Sequence, residues 1–203
     1  KLSRRGTLLD VGCYGGFFLE VAKDRGWLAF GIEPSHWAAD YAKSKGLKVV
    51  SSTLNEARLS DKLFDVVAMW DVIEHLFNPK ETLLEINRIL KPGGILALST
   101  HNPESLAARI LGRRYPFIMR MHLYHFTPRV LKQMLGDAGF QMIKIKSNGR
   151  KFRVSYLMNR FKIRSYFIKK ILSGLIKYLR LDSLKIYINF KDTYRIYAKK
   201  LEM

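Results

Sequence analysis

Over the first 145 residues, short apolar runs alternate with stretches whose apolar positions recur at helical spacing. The runs are TLLDV (7–11), WLAFGIE (27–33), LKVVSS (47–52), FDVVAMW (64–70), GILALST (94–100) and FQMIKIK (140–146). Between them, FFLEVAKDRG carries Phe17, Phe18, Val21 and Ala22, and HWAADYAKSKG closes on Gly46. PKETLLEINRIL opens on Pro79 and sets Leu83, Leu84, Ile86, Ile89 and Leu90 along one side. PRVLKQMLGDAGF repeats that layout from Pro128 to Gly139. Near-continuous apolar strands alternating with helices predict an α/β fold, a mostly parallel sheet covered on both faces.

After Gly149 the texture changes. Residues 152–181 mix apolar and basic positions at roughly helical spacing, with Phe161, Ile168, Leu172, Leu175 and Leu179 against Lys162, Lys169, Lys170, Lys177 and Arg180. DTYRIYAKK (192–200) then alternates Tyr194, Ile196 and Ala198 as a last strand would. No internal repeat or low-complexity linker divides the chain. The expected organisation is one domain, 1–203: a core over 1–149, a basic helical cover or lid over 150–191, and the last strand over 192–200.

A chain of 203 residues can bury one substantial core, and one domain is the default count. No run approaches the roughly 20 apolar residues that span a bilayer. The opening KLSRRGTLLD does not read as a secretory signal, because its apolar segment is short and leads straight into a turn. Its first residue is Lys1 rather than Met, which leaves the true N-terminus open. One cysteine, Cys13, excludes an internal disulfide framework and fits a reducing compartment, so the expected location is cytoplasmic.

Charge alters the picture more. The chain holds 36 Lys/Arg against 17 Asp/Glu, net +19, and residues 141–203 alone hold 17 against 3. Such a field attracts phosphate-bearing partners: nucleic acid, anionic lipid or an acidic small molecule. The basic tract therefore has two readings, a lid packed on the domain or a peripheral surface helix on anionic membrane. Nucleic acid ranks lower, since no RNA-binding module is present.

The candidate chemistry begins at LLDVGCYGGFFLE (8–20), a glycine-rich turn leaving the first strand and opening a helix. Such turns hold ligands against helix N-termini. A phosphate-cradling loop would need Gly-Lys-Ser/Thr, which is absent here. The dinucleotide fingerprint GxGxxG fails twice, at Tyr14 and Phe17. What fits is Asp-x-Gly-x-x-x-Gly, formed by Asp10, Gly12 and Gly16, with Cys13, Tyr14 and Phe17 lining the same turn.

That pattern resembles the class I S-adenosylmethionine (SAM)-dependent methyltransferases. GIEPS (31–35), FDVVAMWDVIEHL (64–76) and LKPGGILALST (90–100) resemble the family's later blocks in order. THNPESLAARILG and HLYHFTPRVLKQMLGDAGF resemble the subgroup that includes quinone-biosynthesis O-methyltransferases. The resemblance implies a Rossmann-like, doubly wound sheet of seven strands with the last antiparallel, SAM as cofactor and S-adenosylhomocysteine as product. It implies that Asp10 orients the turn or meets the methionine amine, and that Glu33, beside Pro34, holds the ribose hydroxyls. Glu33 follows the turn by about 20 residues, the separation of a ribose-binding carboxylate. Thr53 and Leu54 stand where many relatives meet the adenine, and Trp70 and Asp71 where the methionine and substrate cleft lie. Tyr14 replaces a usual glycine.

A hydroxyl acceptor gains from a general base, and histidine is the first suspect. His75 and His125 fall in segments resembling substrate-side elements, His101 follows the fifth strand and could join them, and His36 starts a helix. Glu74 and His75 could ligate a divalent metal, but two ligands are too few, so no metal site is expected. The expected reaction is O-methylation of a small or lipid-like acceptor. Its rivals are methylation of tRNA or another phosphorylated acceptor, and a SAM-binding protein without catalysis.

Overall fold

Leu8 and Leu9 are neighbours in β1 (Thr7–Val11) yet enter different cores, because successive side chains leave a strand on opposite faces. The computed structural model describes residues 6–112, 115, 119–147, 149–154, 174–179, 181 and 183–202. After β1 come α1 (Phe17–Asp24), β2 (Leu28–Ile32), α2 (His36–Ser44), β3 (Lys48–Val50), β4 (Phe64–Trp70), a 3-10 turn (Ile73–His75), α3 (Pro79–Ile89) and β5 (Leu90–His101). Then follow α4 (Leu106–Leu111), α5 (Pro128–Asp137), β6 (Phe140–Ser147), β7 (Arg150–Arg153), β8 (Lys185–Ile188) and β9 (Thr193–Lys200).

Leu8 packs with Leu19 and Ala22 of α1, Ala39 and Ala42 of α2, and Val49 of β3. Leu9 packs with Val67 and Met69 of β4, Leu83 and Ile86 of α3, and Leu131 and Leu135 of α5. Each fully buried aliphatic side chain of this kind contributes about 1.5–3 kcal/mol. The helices start where the sequence places caps. Ser35, Asn78 and Thr127 accept from the amides of Ala38, Glu81 and Val130, with Pro79 and Pro128 at the first helical positions.

Seven strands form one sheet in the order β3-β2-β1-β4-β5-β9-β6. β1 to β5 pair in parallel, and β9 runs antiparallel to both β5 and β6. The expected mostly parallel, doubly wound sheet with an antiparallel last strand is therefore observed. The chain steps outward from β1 through β2 to β3, then crosses back to β4. That reversal opens a crevice beyond the C-terminal ends of β1 and β4, where such sheets bind ligands.

The basic tract differs from expectation at its two ends. Arg150–Arg153 and Lys185–Ile188 are strands, paired antiparallel with Arg150 opposite Ile188 and Arg153 opposite Lys185. KIYI is rich in β-formers and lies beyond the helical spacing read across 152–181. Residues 174–178 are helical, with the Leu179 amide donating to Leu175 O at 2.9 Å. Residues 155–173, with Phe161, Ile168, Leu172, Lys162, Lys169 and Lys170, and also Arg180, lie outside the described residues. Among the described residues, no helix is long and apolar enough to cross a membrane.

Candidate active site

The turn after β1 is tied to the end of β2. Gly12 and Cys13 both donate from their amides to Ile32 O, at 2.8 and 3.1 Å. Gly12 has φ +72, and a Cβ there would stand 2.6 Å from Val72 Cγ2, just past β4. Gly16 has φ +79 and lies against Leu47 and Ala42. Both positions demand glycine for backbone conformation and for close approach.

Tyr14 also adopts a left-handed conformation, φ 46, which costs a non-glycine residue about 1–2 kcal/mol. Its side chain turns outward, 57% exposed, with its ring tilted against Trp37 at 6.2 Å. Trp37 stacks on Tyr41, and Lys45 sits 4.5 Å from the ring centroids of both Tyr41 and Phe17. Tyr14 and Phe17 thus join an aromatic surface beside the turn. What Tyr14 gives the site is its amide, which donates to Glu33 Oε2 at 2.8 Å. Glu33 Oε1 accepts from the Ser35 amide at 2.9 Å, so a buried carboxylate links the turn to the end of β2, with Pro34 exposed between.

Asp10 is buried in β1, opposite Gly31 on one side and Ala68 on the other. Burial, and then the charge of Glu33, push its pKa from 3.8 to about 8. Burial foremost, then Asp10 and Glu33, push the Cys13 thiol to about 12, so it stays protonated and inert.

β4 closes the crevice. Trp70 packs edge-on against Phe18 of α1 at 5.3 Å. Its Nε1 is buried with no hydrogen-bond partner among the described residues, an orphan donor that needs an explanation. Asp71 (φ 54) donates from its amide to Ser99 O at 3.2 Å, and its Oδ1 accepts from the Ser99 hydroxyl at 2.6 Å. This ties the ends of β4 and β5 together. Leu54 lies in the core with Leu9 and Ile32, while the Thr53 hydroxyl donates to Glu56 at 2.7 Å. The hydrogen bonds around Thr53 shape its own loop, and Glu56 is an acid that the sequence reading passed over.

Beyond β4, four histidines gather around Glu74. His75 Nδ1 lies 2.9 Å from Met121 O. The Leu123 amide donates to Glu74 O at 2.9 Å, and the Tyr124 hydroxyl to Phe77 O at 3.1 Å, so residues 121–124 are pinned to the 3-10 turn. Ring centroids run 4.8 Å from His75 to His122, 5.4 Å from His122 to His101, and 6.0 Å from His122 to His125. Glu74 is 2% exposed, and its carboxylate approaches His101 Nε2 at 3.8 Å. Burial chiefly, and then Asp71, raise its pKa.

The structure therefore brings Asp10, Gly12, Cys13, the Tyr14 backbone, Gly16, Glu33, Trp70 and Asp71 to the C-terminal ends of the adjacent strands β1, β2 and β4. It turns the side chains of Tyr14 and Phe17 outward and places Leu54 in the core. His75 and His125 meet through His122, which sequence reasoning missed. The His-x-x-His spacing of HLYHF was the available signal.

A seven-stranded α/β fold, a glycine turn without a phosphate-cradling lysine, and acids at the ends of β1 and β2 suit a nucleoside-type cofactor. The chain belongs to the class I S-adenosylmethionine-dependent methyltransferases, and the profile described as "Methyltransferase domain" matches residues 1–145. It is 28% identical over 184 residues to the "Ubiquinone biosynthesis O-methyltransferase" of Saccharophagus degradans, covering 77% of each chain. It is 31% identical over 153 residues to the protein of that name from Rickettsia canadensis, covering 68% of this chain and 64% of that one. Among solved structures, a SAM-dependent methyltransferase from Archaeoglobus fulgidus superposes with a TM-score of 0.69 at 26% identity, over 96% of this chain and 86% of that one. The residues present suit the cofactor: carboxyl acceptors for ribose hydroxyls and an ammonium at Glu33 and Asp10, and an orphan indole donor at Trp70.

Proposed function

We propose that this protein methylates a hydroxyl group of a small, lipid-like acceptor, with His75 as the general base. Glu33 accepts from the ribose hydroxyls, Asp10 meets the methionine ammonium, and the turn from Gly12 to Gly16 carries the methionine part. When bound, SAM supplies a methyl on an activated sulfonium and leaves as S-adenosylhomocysteine. The protein's task is then alignment, which is worth several kcal/mol of the barrier, together with removal of the hydroxyl proton.

The observation that carries the proposal is the contact between His75 Nδ1 and Met121 O. A carbonyl oxygen only accepts, so Nδ1 must carry the hydrogen of the neutral ring. That leaves Nε2 with its lone pair to take the acceptor's proton as the new C–O bond forms. The printed names of the relatives, O-methyltransferases of ubiquinone biosynthesis, agree with a hydroxyl acceptor.

The lipid-like character rests on surface chemistry. Tyr178 is 85% exposed, and Leu175, Leu179, Leu184 and Tyr187 are exposed among Lys177, Lys185 and Lys191. Exposed apolar and aromatic residues amid cationic ones match the boundary of an anionic bilayer. The test is a methyl-transfer screen with labelled SAM against catechols, prenylated phenols, amines and tRNA. Label in an O-methyl ether supports the reading. Label confined to nitrogen or to RNA overturns it.

A further inference from the structure

Three buried side chains from three separate segments converge at the acceptor end of the cleft: Glu74 from the 3-10 turn, His101 from the end of β5 and His122 from the segment pinned across them. Each offers one ligand atom, and these atoms all lie within 4.8 Å of one another. Neither carboxylate oxygen of Glu74 has a hydrogen-bond partner among the described residues. Its Oε1 lies 3.8 Å from Nε2 of His101, and a buried carboxylate is stabilised by such a partner or by a metal ion. The expectation of no metal site considered only Glu74 and His75, yet His75 Nδ1 is committed to Met121 O. The fold instead supplies two other imidazoles.

We propose that Glu74, His101 and His122 form a binding site for a first-row transition-metal dication. Two imidazoles and a carboxylate are a donor set for Zn2+, Fe2+ or Co2+, whereas Mg2+ and Ca2+ prefer oxygen ligands throughout. Ligands at about 2.0–2.2 Å from a tetrahedral ion stand about 3.3 Å apart, so no pair need close by more than about 1.5 Å on binding. That change lies within the reach of side-chain rotation. An ion there would fasten residues 121–124 to the ends of β4 and β5. Three protein ligands also leave one position open for a solvent or acceptor oxygen. The inference does not rest on the methyl-transfer reading, because metal binding is measured without cofactor or acceptor.

The test uses the full chain, untagged and stripped with a chelator, titrated with Zn2+ by calorimetry and with Co2+ by visible absorption. The expected result is one equivalent bound, with the strong d–d bands of a low-coordinate ion. His101→Gln and His122→Gln should each weaken binding at least about tenfold, whereas His36→Gln should match the wild type. Saturating Zn2+ should raise the melting temperature of the wild type and not that of either ligand variant. If one of these fails to fold by circular dichroism, the other carries the comparison. The proposal is overturned by absence of stoichiometric binding, by binding that survives both ligand substitutions, or by loss in His36→Gln.

Discussion

Asp10, proposed to meet the cofactor, is also a buried acid whose titration bears on the stability of the fold, and Asp10→Asn separates the two. The carboxyl sits in the central strand, 2% exposed, with its pKa pushed from 3.8 to about 8 by burial and then by Glu33. The unfolded chain releases this proton near pH 4 and the folded chain near pH 8. Between those values the folded state binds more protons, so stability falls as pH rises through the window. At about 1.4 kcal/mol per pH unit, the loss attributable to Asp10 has a ceiling of about 6 kcal/mol. Asparagine keeps the shape and removes the titration, and any cost of burying its amide is the same at every pH. Urea unfolding of both proteins at pH 5 and pH 8 gives the comparison. The wild type should lose about 2–4 kcal/mol more than Asp10→Asn over that interval. Parallel pH profiles would refute the reasoning. If Asp10 meets the methionine ammonium, SAM affinity should also rise across this window in the wild type and stay flat in the variant.

Further outcomes follow from the same geometry. His75→Gln should lower kcat by about 100- to 10,000-fold while leaving SAM affinity within a few-fold; unchanged turnover would remove His75 from the chemistry. Tyr14→Gly should leave SAM affinity within about threefold, because it keeps the amide that holds Glu33 and relieves about 1 kcal/mol of left-handed strain; a large loss would mean that the ring contacts the cofactor. At physiological salt the protein should co-sediment with vesicles containing anionic lipid and not with neutral ones, and recovery in the supernatant from both would refute the membrane contact.

The sequence carried the sheet well because its signals were local. FDVVAMW is bounded as read, and Pro79 and Pro128 open their helices. Glycine at 12 and 16 and the acid at 33 were legible because backbone conformation and spacing constrain them. Tyr14's direction was not, since it follows from a positive φ that no periodicity reveals. β7 and β8 were not legible because each is four residues long, too short for either period to decide, and their pairing joins positions roughly 35 residues apart. The meeting of Glu74, His101 and His122 is tertiary, made by the crossover that sets β5 beside β4 and by the segment laid across both. For Leu54, burial in the core decided what the neighbourhood of β3 left open.

The proposed function depends most directly on Glu33, the carboxylate proposed to hold the cofactor. Calorimetry with S-adenosylhomocysteine on the wild type and Glu33→Ala measures this in one comparison. The wild type should bind with a Kd in the micromolar range, about 8 kcal/mol. Glu33→Ala should bind about 100-fold more weakly, through loss of charge-assisted hydrogen bonds and of the anchor for the Tyr14 amide. Equal affinity in the two proteins, or no binding by the wild type, would contradict the account.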